Sequence, residues 1–279
     1  MDIEIIEMAE RKAKFILKNS SPAMANALRR TLLSDIPKMA IDKVEFHLGP
    51  IMDDSGKEYE SVTPLFDEII AHRLGMVPVP TDLDLFTFQD QCSCGGEGCP
   101  NCSIMYSLNK IGPCTVYSGD LMPLGNPDLK VKDEFIPIVE LTDGQAVLIY
   151  ATAVMGTAKT HVKWQVCNGV GYSYMPVITL NEDMADDEDA LKVVQASKSD
   201  VFAIEDGKIV VKNPIHCSDY IDTIDKLVDL GAIEVHGDDT QFIFKFETDG
   251  SLTAQQALDK AVEILAEEAR DFKSQIEAR

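Results

Sequence analysis

The sequence lacks any apolar run long enough to cross a membrane. A spanning helix needs about 18 or more consecutive apolar residues, and no stretch of that kind occurs among the 279 residues. The first residues, Met-Asp-Ile-Glu-Ile-Ile-Glu, are acidic and lack the basic start and apolar core of a secretory signal. We therefore expect a cytoplasmic protein that has no membrane partner.

Basic residues are also scarce. The chain has 25 Lys and Arg against 47 Asp and Glu, which gives a net charge of −22. Because such a chain repels phosphate groups, direct sequence-specific binding to nucleic acid is not expected. The charge equally suits solubility in a salty cytosol, and the counts do not separate the two explanations. The content of 45% hydrophobic and 26% charged residues is globular, with room for one large domain or two to three small ones.

Catalytic motifs are missing as well. The sequence contains no G-x-x-x-x-G-K-[ST] phosphate loop, no H-E-x-x-H and no G-x-S-x-G. The acidic run at residues 186–189 lies in a stretch that resembles a surface linker, where aspartates are not held in fixed positions. We therefore predict that the chain has no catalytic residues of its own.

Cysteine is unevenly distributed. The chain has seven cysteines, and four of them fall within eleven residues as C-x-C-x4-C-x-x-C, with three glycines and a proline between them. Four thiolates on a glycine-rich loop suit tetrahedral zinc, whereas free or redox-active thiols and an iron–sulfur cluster are the alternatives. The odd number and tight clustering do not suit a secreted disulfide framework. The predicted metal ligands are Cys92, Cys94, Cys99 and Cys102.

The segment from Asn19 to Pro37 predicts a short helix with both ends marked. Ser21 is a good N-cap, Pro22 suits the first helical position, and Pro37 stops the helix. Helical spacing places three apolar residues on one buried face, and two adjacent arginines point to different sides of it. The apolar residues are Ala25, Leu28 and Leu32, and the arginines are Arg29 and Arg30.

Further patterns organise the rest of the chain. A second short helix is predicted over residues 64–74, an irregular stretch over 82–118, and a helix–hairpin–helix–strand unit beyond the acidic run. The C-terminal segment predicts a long helix that Thr253 caps with Gln256 as its capping-box partner. Its apolar stripe has heptad spacing and comprises Leu258, Val262, Leu265, Ala269, Phe272 and Ile276.

Three stretches together carry a family resemblance. They are Ala-Asn-Ala-Leu-Arg-Arg-Thr-Leu-Leu-Ser-Asp-Ile-Pro37, Thr63-Pro-Leu-Phe-Asp-Glu-Ile-Ile-Ala-His-Arg-Leu-Gly-Met-Val-Pro78, and Phe246-Glu-Thr-Asp-Gly-Ser-Leu252. Their residues and order resemble the alpha-like subunits of multisubunit RNA polymerases. That group includes the larger of the two archaeal alpha-like subunits, the bacterial alpha N-terminal domain and the eukaryotic third-largest subunit. The archaeal member is the close match, and the three stretches frame nearly the whole chain.

The resemblance implies a discontinuous α+β fold. Residues 1–42, 166–181 and 239–279 would form an alpha-like dimerisation domain that includes the long C-terminal helix. Residues 43–165 would form a mainly β insert domain with the cysteine loop, and residues 182–238 a ferredoxin-like insert. Many relatives hold an iron–sulfur cluster in that insert. This chain offers only Cys217 there and Cys167 upstream, and two thiols cannot hold a cubane, so we expect the insert without its cluster. Zinc in the cysteine loop of some relatives favours zinc at the corresponding loop here.

The implied function is to serve as an assembly platform for a DNA-directed RNA polymerase. The chain would pair with the small alpha-like subunit, called L in archaea. The heterodimer would then receive the second-largest subunit, the largest subunit and two further small subunits, while the chemistry belongs to the complex. The expected dimer interface comprises Ala25, Leu28, Leu32, Leu258, Leu265 and Phe272, with Arg29 and Arg30 docking the large subunits.

Two other classes of function remain open at this point. A stand-alone metal or iron–sulfur redox protein would be built around the four cysteines and the ferredoxin-like unit. It predicts a redox-active centre in the isolated chain, whereas the platform predicts a colourless protein. A free zinc-dependent nucleic-acid binder is disfavoured by the net charge of −22 and the lack of basic and aromatic clusters.

Overall fold

The computed structural model describes residues 2–53 and 55–278 and has an α+β architecture with antiparallel strand pairs. None of the helices in these ranges is long and apolar enough to cross a membrane. The helices are α1 (Pro22–Ser34), α2 (Asp67–Gly75), α3 (Glu188–Ala196), α4 (Ile221–Asp229) and α5 (Ala254–Glu277). The strands are β1 (Asp2–Met8), β2 (Lys12–Lys18), β3 (Lys38–Phe46), β4 (Ile51–Met52), β5 (Glu58–Tyr59), β6 (Ser103–Ile111), β7 (Cys114–Tyr117), β8 (Met122–Pro123), β9 (Pro137–Leu141), β10 (Ala146–Gly156), β11 (Cys167–Leu180), β12 (Phe202–Glu205), β13 (Lys208–Val211) and β14 (Ile233–Thr248).

One four-stranded sheet has the order β3-β10-β6-β8. Ala151 of β10 lies opposite Val44 on one side and opposite Tyr106 on the other. Alternate residues of β10 and β6 face a large apolar core, as period-two patterning requires. The prediction that residues 82–118 are irregular was therefore wrong for β6, whereas β7 lies in the stretch from residue 114 to 166 for which the sequence predicts strands. The alternation Ile104, Tyr106, Leu108 is present in the sequence but is short and follows directly on the cysteine loop.

A second four-stranded sheet has the order β1-β2-β14-β11. Phe15 of β2 stacks on Phe244 of β14 with ring centroids 5.1 Å apart. The sequence predicts separate strands at 232–235 and 241–247, but the structure has one continuous strand, β14. The polar residues between them, including Asp238 and Thr240, suggested a break, yet these side chains hydrogen-bond locally without ending the strand.

The predicted helix caps are confirmed. The Ser21 hydroxyl accepts a hydrogen bond from the backbone N–H of Met24 at 3.3 Å at the start of α1. Thr253 and Gln256 form a reciprocal capping box at the start of α5. His72 and Arg73 lie in the last turn of α2, and Arg73 donates to the carbonyl of Ile138.

The segment between β11 and β14 packs around a small core that also includes Ile233 of β14. The order α3, β12, β13, α4 agrees with the predicted helix–hairpin–helix unit, and its apolar residues pack together around Phe202 and Leu227. The acidic run is more ordered than a linker, because the Asp187 carboxylate caps α3 by accepting from the N–H groups of Asp189 and Ala190.

The described chain divides into two compact units. One comprises residues 2–7, 14–26 and 171–245, and the second comprises residues 8–13, 27–170 and 246–278. The predicted domain boundary between residues 42 and 43 falls within β3.

Candidate metal centre and assembly surfaces

The cysteine loop lies just before β6 and is built from two tight turns. The Gly95 N–H donates to the Cys92 carbonyl at 2.9 Å, and the Cys102 N–H donates to the Cys99 carbonyl at 3.0 Å. Gly95 and Gly96 have φ values of 70° and 88°, a left-handed conformation that glycine adopts without steric cost. The turns fold the loop back on itself, so that cysteines from both ends point to a common centre.

The four sulfur atoms of this loop form a compact cluster. All lie within 4.8 Å of one another. The Cys92–Cys99, Cys94–Cys102 and Cys99–Cys102 sulfur pairs are 3.5, 3.7 and 3.9 Å apart. Sulfur ligands about 2.3 Å from one tetrahedral ion would lie about 3.8 Å from each other. The donor set therefore fits a single metal ion.

The surrounding protein gives these thiols different acidities. The pKa of Cys94 is lowered to about 5, chiefly because the backbone N–H of Cys99 donates to its sulfur. Burial raises the pKa of Cys102 to about 12. Four thiolates at this spacing repel each other, so a bound cation is needed to hold all of them deprotonated.

The apolar residues predicted for the dimer interface fall into two groups. Four of them are almost fully buried within this chain, with 0% exposure for Ala25, 3% for Leu28, 1% for Leu32 and 4% for Leu258. Burial then decreases along α5, since Leu265 is half-buried and Phe272 is 67% exposed. The first turns of α5 thus cover the chain's own core, and its second half leaves apolar surface uncovered.

The two arginines of α1 differ in environment. Arg29 is half-buried and Arg30 is exposed, as expected for adjacent positions on a helix. The structure therefore leaves the guanidinium of Arg30 more accessible to another molecule.

The remaining cysteines lie apart from the metal loop. The sequence predicts that Cys114, Cys167 and Cys217 are small buried residues; this is confirmed for Cys167 and Cys217 and wrong for Cys114, which is only half-buried. Burial raises the pKa of Cys167 to about 12, and that of Cys217 is raised for the same reason. These thiols are therefore in the neutral form expected of small core side chains.

A buried ion pair was missed at the sequence level. Lys38, on β3, binds the carboxylate of Asp249, and their side chains are only 3% and 13% exposed. The other carboxylate oxygen accepts from the backbone N–H and hydroxyl of Ser251, and the Asp249 N–H donates to the Val166 carbonyl. This pair fixes the turn that leads into α5. A lone lysine in the apolar run Lys-Met-Ala-Ile was the available signal.

The turn is tightened further by Gly250. Its φ is 91°, and a Cβ at this position would lie 2.5 Å from the guanidinium carbon of Arg11. Arg11 in turn forms two hydrogen bonds with the Asp133 carboxylate, at 2.9 and 3.0 Å. The stretch from Phe246 to Leu252 therefore holds the start of α5 in place. This role is a structural reason for the resemblance of that stretch to the alpha-like subunits.

Comparison with known proteins agrees with this architecture. The sequence model for the RNA polymerase Rpb3/Rpb11 dimerisation domain matches residues 14–269. Because that match covers most of the chain, the chain belongs to the Rpb3/Rpb11 dimerisation-domain family of RNA polymerase subunits.

Individual relatives make the relationship more specific, because several archaeal proteins with the same name are similar to this chain. DNA-directed RNA polymerase subunit Rpo3 of Thermoplasma volcanium is 45% identical over 94% of both chains. The subunit Rpo3 of Picrophilus torridus is 44% identical over 95% of this chain and 96% of its own. That of Archaeoglobus fulgidus is 38% identical over 99% and 98%. The predicted relationship to alpha-like polymerase subunits is confirmed, and nothing supports the stand-alone redox protein.

Proposed function

We propose that this chain is the assembly-platform subunit of a multisubunit DNA-directed RNA polymerase. The observation that carries the proposal is the family relationship over residues 14–269, since the family is described by its dimerisation domain. The uncovered apolar half of α5 supports it, because a stable pairing surface needs apolar area that the chain itself leaves free.

The small alpha-like subunit is the proposed first partner. Of the six predicted interface residues, Leu265 and Phe272 retain surface for it, and Ile276, at 59% exposure, extends the same stripe. The other four predicted residues would support the interface indirectly, because they are buried and hold α1 and α5 against the core. They are Ala25, Leu28, Leu32 and Leu258. Helices pair through apolar stripes at this heptad spacing.

Pairing is tested by changing Phe272 to Asp. We expect Phe272→Asp to abolish co-purification with the small subunit, because a carboxylate would be placed in an apolar contact without a partner. The measurement is co-expression followed by size exclusion. Ser274→Asp is the matched control, because it adds the same charge to the same exposed end of α5. Two residues along a helix turn the side chain to nearly the opposite face from Phe272.

The result is read against the control. Retention of the heterodimer by Ser274→Asp and its loss by Phe272→Asp would support α5 as the interface. A full-strength heterodimer with Phe272→Asp would contradict this.

Docking of the large subunits is the next proposed step. Arg29 and Arg30 lie on the middle turns of α1, and the exposed Arg30 suits a bidentate carboxylate contact. The second-largest subunit, the largest subunit and two further small subunits would then complete the enzyme. Phosphoryl transfer would belong to the large subunits, and this chain would contribute no catalytic residue.

The proposed domain organisation remains that of the family. Residues 1–42, 166–181 and 239–279 would form the dimerisation domain, residues 43–165 the insert domain, and residues 182–238 the ferredoxin-like insert. The order β1-β2-β14-β11 supports the first domain, because its strands come from these separated segments. The sheet β3-β10-β6-β8 supports the second.

For the cysteine loop we propose one structural zinc ion. The sulfur separations of 3.5–3.9 Å favour a single ion over an iron–sulfur cubane, in which four irons lie between the thiolates and hold them farther apart. Zinc would supply a fixed tetrahedral crosslink and no redox chemistry. In the ferredoxin-like insert we propose no cluster, because Cys217 is its only thiol.

The metal is tested with Cys99→Ser. We expect the purified chain to contain about one zinc per molecule and no visible absorption band, and the variant to lose the zinc. Elemental analysis and an absorption spectrum measure both. Cys114→Ser is the control, because this thiol lies outside the loop and should leave zinc content unchanged. Visible iron–sulfur absorption, or equal zinc content in both variants, would contradict the proposal.

A further inference from the structure

The cysteine loop has two halves, and its sulfur atoms lie where these halves meet. Cys92 and Cys94 belong to the first half, and Cys99 and Cys102 belong to the second. The first half is held by a turn in which the Gly95 N–H donates to the Cys92 carbonyl. The second is held by a turn in which the Cys102 N–H donates to the Cys99 carbonyl. The backbone of two separate turns therefore sets which sulfur atoms come into contact.

The two shortest of the three sulfur contacts described above join one half of the loop to the other. The Cys92 sulfur is 3.5 Å from that of Cys99, and the Cys94 sulfur is 3.7 Å from that of Cys102. These two contacts share no cysteine, so together they use all four. A disulfide bond is about 2.05 Å long, so each pair has to close by about 1.5 Å, a distance that rotation about the Cα–Cβ bonds covers. The geometry therefore favours two disulfides that cross between the halves.

Burial differs between the two members of each pair. Cys94 and Cys99 are half-buried, whereas Cys92 is 9% exposed and Cys102 is 0% exposed. Residues 95–98, which connect the two halves, are all exposed. A dissolved oxidant therefore reaches Cys94 and Cys99 first, and each of these has a buried cysteine in contact with it. An accessible thiol beside a second, resolving thiol is the arrangement that forms a disulfide before further oxidation occurs.

We propose that the loop is a reversible thiol switch, in which a peroxide converts its cysteines to the disulfides Cys92–Cys99 and Cys94–Cys102 and thereby releases the bound ion. The release rests on the zinc site proposed above, whereas the pairing of the cysteines does not. Because the two disulfides join the same halves of the loop that the ion would join, the loop stays closed in both forms. The oxidised form no longer offers thiolates to a metal.

Each disulfide forms in two steps. The sulfur of the half-buried cysteine attacks one oxygen of hydrogen peroxide, the O–O bond breaks, and a sulfenic acid and a hydroxide ion form. The buried sulfur then attacks the sulfenic sulfur, the S–S bond forms, the S–O bond breaks, and a second hydroxide ion leaves. Two peroxide molecules thus oxidise four thiolates to two disulfides and yield four hydroxide ions. Zinc is neither oxidised nor reduced and leaves as the divalent ion.

The switch is tested by adding about two equivalents of hydrogen peroxide to the purified full chain. The chelating dye 4-(2-pyridylazo)resorcinol measures released zinc, and dithionitrobenzoate in denaturant counts the remaining thiols. We expect release of about one zinc and loss of four of the seven thiols. Reduction with a phosphine and addition of zinc should restore both values. Retained zinc, or sulfinic acids found by mass spectrometry in place of disulfides, would overturn the proposal.

The pairing is mapped in a double variant, Ser93→Lys with Asn101→Lys, which keeps all four cysteines. Both side chains are exposed, so the variant should fold and bind zinc like the original chain. After oxidation, alkylation of free thiols and denaturation, trypsin cleaves after both substituted positions and a glutamate-specific protease cleaves after Glu97. The four cysteines then lie on four different peptides. We expect mass spectrometry to find the peptide of Cys92 joined to that of Cys99, and any other pairing would overturn the proposal.

Failure of the switch and failure of the zinc site give different results. A chain that contains zinc but forms other disulfides, or none, would refute the switch and leave the zinc site intact. A chain that contains no metal at the outset would refute the zinc site and the release of the ion, and the peptide map would still decide the pairing. Cys114→Ser is the control for reactions outside the loop, because it should release the same amount of zinc and lose the same four thiols.

Discussion

Lys38 carries a charge at a nearly fully buried position of β3, and its partner is the carboxylate of Asp249. An isolated charge at such a site is costly, whereas the pair satisfies both groups. We expect Lys38→Met to lower the free energy of unfolding by about 3 kcal/mol, because the substitution leaves the Asp249 carboxylate buried without a cation. Urea denaturation of the purified chain measures the change.

Lys43→Met on the same strand is the matched comparison. Lys43 pairs with Glu45, but these side chains are 70% and 60% exposed. An exposed pair contributes less than about 1 kcal/mol, so this variant should be nearly as stable as the original chain. Equal losses in the two variants would mean that burial of the Lys38 pair has no special effect.

At the scale of the element, α1 and α5 each combine two roles. Leu28 of α1 is 3% exposed, so Leu28→Asp places a carboxylate in the core of the chain itself. We expect it to destabilise the chain alone by about 3 kcal/mol or more, which thermal unfolding of the unpartnered chain would measure. Loss of pairing in this variant would therefore report on folding.

Phe272→Asp separates folding from pairing. Phe272 is 67% exposed in the chain alone, so the substitution should change its stability by less than about 0.5 kcal/mol. If Leu28→Asp leaves the unfolding temperature of the lone chain unchanged, the buried face of α1 contributes less to stability than the low exposure of Leu28 indicates.

Elements were predictable where a strong local signal exists. The helix caps at Ser21 and Thr253 depend only on neighbouring residues, and so does the hairpin turn between β12 and β13, just before Lys208. The sequence alone therefore locates them. β6 was missed because its alternation is short and follows a loop. The arrangement of the four sulfur atoms was suggested by spacing. The buried pair of Lys38 and Asp249 was not, since it joins positions far apart in the chain.

At the scale of the whole molecule, the insert between β11 and β14 is closed at its base. The Asn181 N–H donates to the Ala232 carbonyl at 3.0 Å, so the two ends of the insert meet. We expect deletion of residues 183–230, bridged by a short glycine linker, to leave pairing with the small subunit intact. The reason is that most of the buried residues of the insert's apolar core lie within the deleted range. Co-purification with the small subunit measures this.

The structure decides at which residue the deletion should end. A deletion of residues 183–237 would remove the start of β14, which is continuous from Ile233 to Thr248. Loss of pairing in the shorter deletion, with the chain still folded by circular dichroism, would show that the insert takes part in assembly.

The order of strands in the sheet β1-β2-β14-β11 has a consequence for biosynthesis. β2 ends at Lys18, and its neighbour β14 begins at Ile233. At about 5–20 residues per second, a ribosome needs on the order of ten seconds or more to make the residues between them. Throughout that interval β2 has no neighbour on one side, and Phe15 has no ring to stack on. The nascent chain therefore presents an open, apolar strand edge, which other nascent chains or chaperones could reach before translation ends.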